Sequence, residues 1–263
     1  MKLIAQALVA ATLAGAAFSA SAQSDFYRRL TPPNIAQGGV AGAVLLAGRE
    51  YQGSDESRVR LLPSIDYQWS NGFFAGVING LGYNASTEPG LAYGVRLTAD
   101  FGRKERRSAA LRGLGNIDAR PELGAFFNYS PARSLTLSSS LRYGSGNERE
   151  GLLLDLGAAW STSLGPALQL STNLATTWAN ASHLRDYFGV DAAQSLRSGY
   201  GVYRPGSGLR DVRVGATLRY RLTPAWGVTA SLTRTELLGD AKSSPIAREQ
   251  GSTSASFTVG YSF

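Results

Sequence analysis

The sequence contains no cysteine and one histidine, His183. The absence of cysteine excludes disulfides, thiolate metal sites and cysteine nucleophiles. A lone histidine among scattered aspartates provides no spaced ligand set for zinc or copper. A histidine-dependent mechanism would have to use His183 with its loop neighbours Ser182 or Asp186, and adjacent loop residues rarely have catalytic geometry. We therefore predict a protein with no enzymatic activity, no metal and no other cofactor.

Long apolar runs are also scarce. The one near the start, centred on Ala7 to Phe18, follows Lys2 and precedes Ala20-Ser21-Ala22, which is typical of a secretory signal peptide. A transmembrane helix is the alternative, but the run is short and includes polar residues. No later stretch approaches the roughly 20 apolar residues of a spanning helix. We expect a signal peptide at 1–22, a periplasmic segment at 23–37 and a folded domain at 38–263.

Instead of long apolar runs, the sequence has segments in which every second residue is apolar. In residues 211–221, apolar side chains alternate with arginine, glycine and threonine, which predicts strands with one apolar and one polar face. The pattern recurs at 91–101, 122–130, 135–143, 152–161, 168–178 and 226–233. A soluble β-sandwich is the alternative, but charges in mid-strand are typical of the wet lumen of a membrane barrel. The predicted lumen-lining charges are Arg96, Asp100, Glu122, Arg142, Asp155, Arg213, Arg219 and Arg221.

Connections between these strands indicate the topology. Tight turns alternate with long polar loops at about 52–59, 103–119, 181–208 and 240–250. Outer-membrane barrels keep short turns on the periplasmic side and long loops outside, so a barrel with both termini in the periplasm has an even strand number. Asn79-Gly80 is a hairpin signal that divides one ambiguous segment. We therefore predict an all-β, antiparallel transmembrane barrel of twelve strands, with ten as the alternative.

The last residues form an alternating strand with an aromatic end. Phe257, Val259, Tyr261 and Phe263 fall on one face, and we expect this strand to close the barrel against Val40–Gly48. Aromatic rings also gather at other strand ends, as in the interfacial girdles of such barrels. A terminal strand ending in Phe resembles the targeting signal read by the barrel assembly machinery.

The chain is basic, with a formal net charge of +7. For an exported chain, this favours an anionic membrane surface over nucleic acid, because the arginines do not form one face with interleaved stacking aromatics. The cluster from Arg103 to Arg107 is either solvated or a bridge to lipopolysaccharide phosphates. The lumen arginines are expected to pair with Asp66, Asp100, Glu122 and Asp155. A surplus of arginine would instead favour an anion-selective constriction.

Several stretches resemble one family, the MipA/OmpV outer-membrane proteins. They are LLPSIDYQW, YFGV, LTPAW and LLGDAKSSPI, and the resemblance runs from about Gln37 to Phe263. Lys242 and Ser243 depart from the expected spacing of the last stretch. The motif residues, which we expect to order the long loops as a plug, are Asp66, Tyr67, Tyr187, Phe188, Gly189, Gly239, Asp240 and Pro245.

The resemblance implies a scaffold in the outer membrane of a Gram-negative bacterium. The founding member is described as bringing a lytic transglycosylase together with a bifunctional murein synthase, and other members are linked to adhesion. The expected surroundings are outer-membrane lipid and lipopolysaccharide. A small anion-selective channel is the first alternative function, and an adhesin acting through the 181–208 loop is the second.

Overall fold

The computed structural model describes residues 37–77 and 79–263. The predicted signal peptide and nearly all of the predicted periplasmic segment lie outside these ranges. The described chain forms one closed antiparallel barrel, in which each strand pairs with its neighbours in sequence and the first pairs with the last. The predicted all-β class and the count of twelve strands are confirmed. The strands are β1 Gly38–Arg49, β2 Ser57–Gln68, β3 Phe73–Gly76, β4 Gly80–Asn84, β5 Leu91–Asp100, β6 Arg120–Ala132, β7 Leu135–Ser145, β8 Gly151–Ser163, β9 Leu168–Ala179, β10 Gly208–Arg221, β11 Trp226–Leu237 and β12 Gly251–Ser262.

The alternating pattern divides the wall into an apolar exterior and a polar interior. In β10, Val214 is 58% exposed on the outside, whereas its neighbour Arg213 is buried in the lumen. Apolar side chains outside a closed sheet are solvated by lipid, so their exposure carries no cost in a membrane. A soluble sandwich would bury that same face between two sheets. The closed sheet therefore excludes the sandwich alternative.

The barrel closes where the C-terminal strand meets the N-terminal one. Pairing of β1 with β12 runs from Val40 opposite Ser262 to Ala47 opposite Ala255, as the sequence predicted. Next to the Val40–Ser262 pair, Gly39 and Phe263 exchange two backbone hydrogen bonds of 2.9 and 3.0 Å. The Phe263 ring lies 6.1 Å from that of Tyr67, within a band of aromatic rings at this end.

The connections fall into two groups at opposite ends of the barrel. Short turns join β2–β3, β4–β5, β6–β7, β8–β9 and β10–β11, and we call this the turn end. The loop end carries the remaining connections, which are 50–56, 77–79, 101–119, 146–150, 180–207 and 238–250. By the usual orientation of such barrels, we expect the loop end to face outward.

The loops contain helices that the sequence did not predict. They are α1 Ala181–Phe188, α2 Ala192–Ser198 and α3 Gly239–Lys242. Local caps define the first two, since Asn180 accepts from the backbone of His183 and Asp191 forms a capping box with Gln194. Segments this short show little helical periodicity in a sequence. Within the described ranges, no helix is long and apolar enough to cross a membrane.

The predicted hairpin at Asn79-Gly80 is present, between β3 and β4. Gly80 has φ of 76°, a left-handed conformation that favours glycine at a tight turn. The two strands have only four and five residues, whereas the other ten have ten or more. The barrel wall is therefore shorter along its axis at β3 and β4 than at the other strands.

Candidate functional site: a charged lumen beneath a loop cap

A cluster of ion pairs occupies the lumen beneath the loops, and we call it the lumen network. Its members are Glu122, Arg142, Asp155, Arg210, Asp211 and Arg213. Period-two alternation in β6, β7, β8 and β10 directs all of these side chains except Arg210 inward. Arg142 is central, because its Nη1 lies 3.2 Å from Glu122 Oε2 and its Nη2 lies 2.9 Å from Asp155 Oδ2. Buried charges are tolerated when paired in this way.

The other half of the lumen network is built on β10. The Arg213 guanidinium lies 3.4 Å from Asp155 Oδ1 and 3.2 Å from Asp211 Oδ1. Arg210 donates from Nε to Asp211 Oδ2 at 2.7 Å. With three arginines and three carboxylates, the lumen network is balanced in formal charge. The surplus of arginine that would favour an anion-selective constriction is not found within this network.

Arg210 and Asp211 were missing from the predicted set. Strict alternation with Arg213 places residue 210 on the lipid face. A register shift between Leu209 and Asp211 in the β9–β10 ladder turns Arg210 inward instead, where it is 1% exposed. The sequence did contain a signal for this shift. Arg210 and Asp211 are two successive charged residues at the start of β10, and neither is stable facing lipid.

The other predicted lumen charges have further contacts of their own. Arg96 donates to Ser140 Oγ at 2.6 Å and lies over the Phe126 ring. Asp100 accepts from the Tyr187 hydroxyl, and Asp66 accepts from Asn79 at 3.1 Å. Arg219 and Arg221 lie near the turn end and are exposed.

His183 lies between the lumen network and the loops. Its Nδ1 is 2.8 Å from Ser145 Oγ, and its Nε2 faces the Arg210 guanidinium at 3.4 Å. In a catalytic triad, the second ring nitrogen faces a carboxylate. Ser145 is also 0% exposed, so no substrate can reach its hydroxyl. The pair joins a loop helix to the barrel wall.

The long loops fold together over the lumen into an apolar layer, which we call the cap. Two clusters of buried side chains form it, contributed by four loops and the adjoining strand ends. In the first, Tyr187 and Phe188 of α1 are 5% and 1% exposed. In the second, Tyr51 donates from its hydroxyl to the Ile246 carbonyl at 3.1 Å. The cap therefore covers the loop end of the lumen with packed side chains.

The motif residues meet within the cap. Ser244, next to Pro245, donates from Oγ to the Phe188 carbonyl at 2.6 Å. Asp240 accepts from the Gly206 backbone at 2.7 Å. Gly189 caps α1, and Gly239 begins α3. The exception among the predicted motif residues is the pair Asp66 and Tyr67, which lies in β2.

Burial in the cap shifts the phenols away from ionisation. It raises the pKa of Tyr51 to about 12. Burial, followed by the neighbouring Asp100 carboxylate, raises the pKa of Tyr187 well above its usual range. Both hydroxyls therefore remain hydrogen-bond donors at neutral pH, one to a carbonyl and one to Asp100. No group of three or more metal-ligating side chains occurs in the part of the chain that the structure describes.

Comparison with known proteins identifies the family. The family model of MipA, the MltA-interacting protein, matches residues 41–263. The chain belongs to the MipA family. The search of curated proteins gave no match for it. The family and the closed barrel with its apolar exterior place this MipA-family chain in the outer membrane.

The chain is similar in fold to several solved structures. A bacterial polysaccharide outer-membrane secretin is 10% identical, with a TM-score of 0.51, and the match covers 88% of this chain and 100% of that one. The NanC porin is 9% identical, with a TM-score of 0.48 and coverage of 83% and 98%. An outer-membrane channel from Pseudomonas putida F1 is 13% identical, with a TM-score of 0.46 and coverage of 88% and 97%. At such identities, the likeness to the secretin concerns the fold alone.

Proposed function

We propose that this MipA-family barrel is a non-enzymatic and non-conducting scaffold that holds a lytic transglycosylase and a murein synthase at the outer membrane. The family supports the kind of partner, since its model is named for interaction with MltA. The observation that supports a non-conducting barrel is the cap. Its apolar clusters include Leu184, Phe188 and Ile246, each 1% exposed, so apolar side chains pack within this layer. An ion-conducting pore needs a polar lining, which packed apolar side chains interrupt.

The balanced lumen network supports the same proposal. An anion-selective constriction needs a ring of uncompensated positive charge. Arg142 and Arg213 instead contact carboxylates at 2.9–3.4 Å. Removing these contacts during conduction would expose buried charges, which is costly. The network therefore links β6, β7, β8 and β10 across the lumen without forming an anion-selective ring.

The turn end is the surface we assign to the enzymes. Its connections are short, and three of the five join two strands of eleven or more residues, which makes it a rigid platform on the side where murein lies by the usual orientation. Leu164 and Leu222 are 55% and 53% exposed in two of these turns. Exposed apolar side chains on turns provide contact points for a protein partner.

A binding experiment tests this assignment. The barrel in lipid nanodiscs is titrated with the soluble domains of a lytic transglycosylase and a murein synthase by surface plasmon resonance. The variant Leu164→Asp/Leu222→Asp should weaken binding at least ~10-fold, because two apolar contacts become charged. Leu196→Asp is the matched control, since Leu196 is 89% exposed at the loop end, and it should bind like the unmodified chain. Loss of binding in the control alone, or absence of binding to either enzyme, would contradict the proposal.

A small anion-selective channel is the second candidate, because of one feature at the turn end. Arg219 is exposed in the lumen, and among the described residues no carboxylate lies within 4.0 Å of its guanidinium. Unpaired arginine at a pore mouth attracts anions. This candidate requires a path through the cap, so conductance distinguishes it from the scaffold.

A further inference from the structure

A groove lies along the 101–119 loop at the loop end, and we call it the loop groove. Its volume is about 620 Å³, which is within the range of pockets that bind small organic ligands. The polar side chains that line it are Lys104, Glu105, Arg106, Ser108, Arg112 and Asn116. Since we expect the loop end to face outward, the loop groove is accessible from the cell surface.

Internal hydrogen bonds fix the backbone that forms the loop groove. Glu105 accepts at Oε1 from the backbone of Gly113 at 2.6 Å, and its own backbone donates to Asn116 Oδ1 at 2.9 Å. Leu111 and Leu114 anchor the same segment in the cap, where they are 1% and 3% exposed. The groove is therefore preformed, so a ligand that enters it loses little affinity to ordering of the backbone.

The loop carries a surplus of positive charge. It contains five lysines and arginines but two acids. Lys104 is paired with Asp118, and Glu105 is the acid that lines the groove. Arg106 and Arg112 are exposed, and among the described residues neither guanidinium has a hydrogen-bond or ion-pair partner. Two unpaired arginines are therefore set against one carboxylate.

The carboxylate of Glu50 in the neighbouring loop does not offset this surplus. It is shared by three arginines at 3.0, 3.6 and 3.8 Å, which are Arg58, Arg60 and Arg107. The pKa of Arg107 is lowered, first by burial and then, against the effect of Glu50, by the like charges of Arg58 and Arg106. The positive potential of this region therefore extends to Arg106 at the loop groove.

The donors of the loop groove indicate the class of ligand. A guanidinium binds phosphate through two parallel hydrogen bonds, and a concave site strengthens the attraction of its cations for an anion. Asn116 uses its side-chain oxygen for the Glu105 backbone, so its amide N–H groups are available to a neutral acceptor. Ser108 donates to Glu56 at 3.1 Å, and its hydroxyl is not assigned to the ligand. A phosphate attached to a polyhydroxylated body fits these donors.

We propose that the loop groove binds a phosphorylated saccharide. The phosphate accepts hydrogen bonds from Arg106 and Arg112, and sugar hydroxyl groups pair with Asn116 and Glu105. A lipid headgroup and a soluble saccharide share this chemistry. The loop groove is at the opposite end of the barrel from the turns assigned to the enzymes, so this inference and the proposed function can fail independently.

Matched double variants test the phosphate contact. The refolded barrel in detergent is titrated by calorimetry with a phosphorylated oligosaccharide, obtained by deacylating lipopolysaccharide, and with its dephosphorylated form. Arg106→Met/Arg112→Met should weaken binding of the phosphorylated form at least ~10-fold, because two charged hydrogen-bond donors are lost. Arg185→Met/Arg204→Met is the control, since both arginines are exposed in the 180–207 loop, and it should change binding less than ~2-fold.

A conservative variant separates the shape of the donor from its charge. Arg106→Lys/Arg112→Lys keeps both charges but lacks the planar fork of the guanidinium. It should bind the phosphorylated oligosaccharide more tightly than the methionine variant and less tightly than the unmodified chain. Gel mobility with and without heating confirms that each variant is folded.

Competition distinguishes the two sources of the saccharide. The barrel is placed in nanodiscs with and without acylated lipopolysaccharide, and the deacylated oligosaccharide is titrated into each. Loss of binding in the presence of the lipopolysaccharide would assign the loop groove to a lipid headgroup. Unchanged binding would assign it to a soluble saccharide.

Four results would overturn the proposal. They are no binding of the phosphorylated oligosaccharide in detergent, equal binding of its dephosphorylated form, equal effects of the two double methionine variants, and binding of inorganic phosphate as tight as that of the oligosaccharide. Equal effects of the variants would reduce the interaction to net charge. Tight binding of inorganic phosphate would leave a site for a free anion only.

Discussion

Replacing Arg142 with methionine tests the role of the lumen network in stability. The change removes the Arg142 contact with Glu122 at 3.2 Å, whereas Asp155 keeps its contact with Arg213 at 3.4 Å. Removing one partner of a buried ion pair costs about 3–5 kcal/mol. We expect a loss of that size in the free energy of unfolding. Urea unfolding in lipid vesicles, followed by the fluorescence of the four tryptophans, measures it.

Two further variants make the test specific. Arg219→Met removes a lumen arginine that lies outside the network and should change the free energy of unfolding by less than about 0.5 kcal/mol. Adding Glu122→Gln to Arg142→Met restores formal neutrality, so the double variant should be more stable than the single one. A cost below about 1 kcal/mol for Arg142→Met, or no recovery in the double variant, would refute the reasoning.

Three other predictions concern closure and the cap. Deleting Phe263 removes both backbone bonds to Gly39 and should cost about 1–3 kcal/mol in urea unfolding, and an unchanged midpoint would contradict this. Because the pKa of Tyr51 is raised to about 12, the unfolded state loses its phenolic proton first, so stability should fall between pH 10 and 12. Tyr51→Phe should reduce that slope in unfolding curves at pH 8, 10 and 11.5, and an equal slope would count against it. Tyr187→Phe removes the donor to Asp100 and should speed hydrogen exchange in α1, which mass spectrometry detects.

The barrel could be predicted because lipid and lumen impose opposite polarities on alternate residues. This rule holds along whole strands, so the strand number, the hairpin at Asn79-Gly80 and the terminal partner of β1 followed from the sequence. It failed at Arg210, where one bulge reverses the side of a single residue. It also said nothing about strand length, so the low wall at β3 and β4 was not anticipated.

The sequence predicted that the long loops form a plug, but it did not predict their helices or their contacts. Tyr187, Phe188 and Asp240 were marked by motif resemblance, and each has contacts within the cap or between its loops. Their helices are too short for periodicity to show, and their partners come from loops distant in sequence. Arg103 was predicted within a solvated or phosphate-binding cluster, and its burial depends on packing against Tyr187, 84 residues away. Contacts of that range cannot be derived from local pattern.

Single-channel conductance in planar bilayers tests the capped-barrel account most directly. The intact refolded barrel should give no steps, whereas replacing residues 181–198 with a flexible linker should open a conducting lumen, because α1 supplies Phe188 and Tyr187 to the cap. Gel mobility with and without heating confirms that each variant is folded. Steady anion-selective steps from the intact barrel that change with Arg213→Ala and Arg219→Ala would contradict the scaffold and establish the channel.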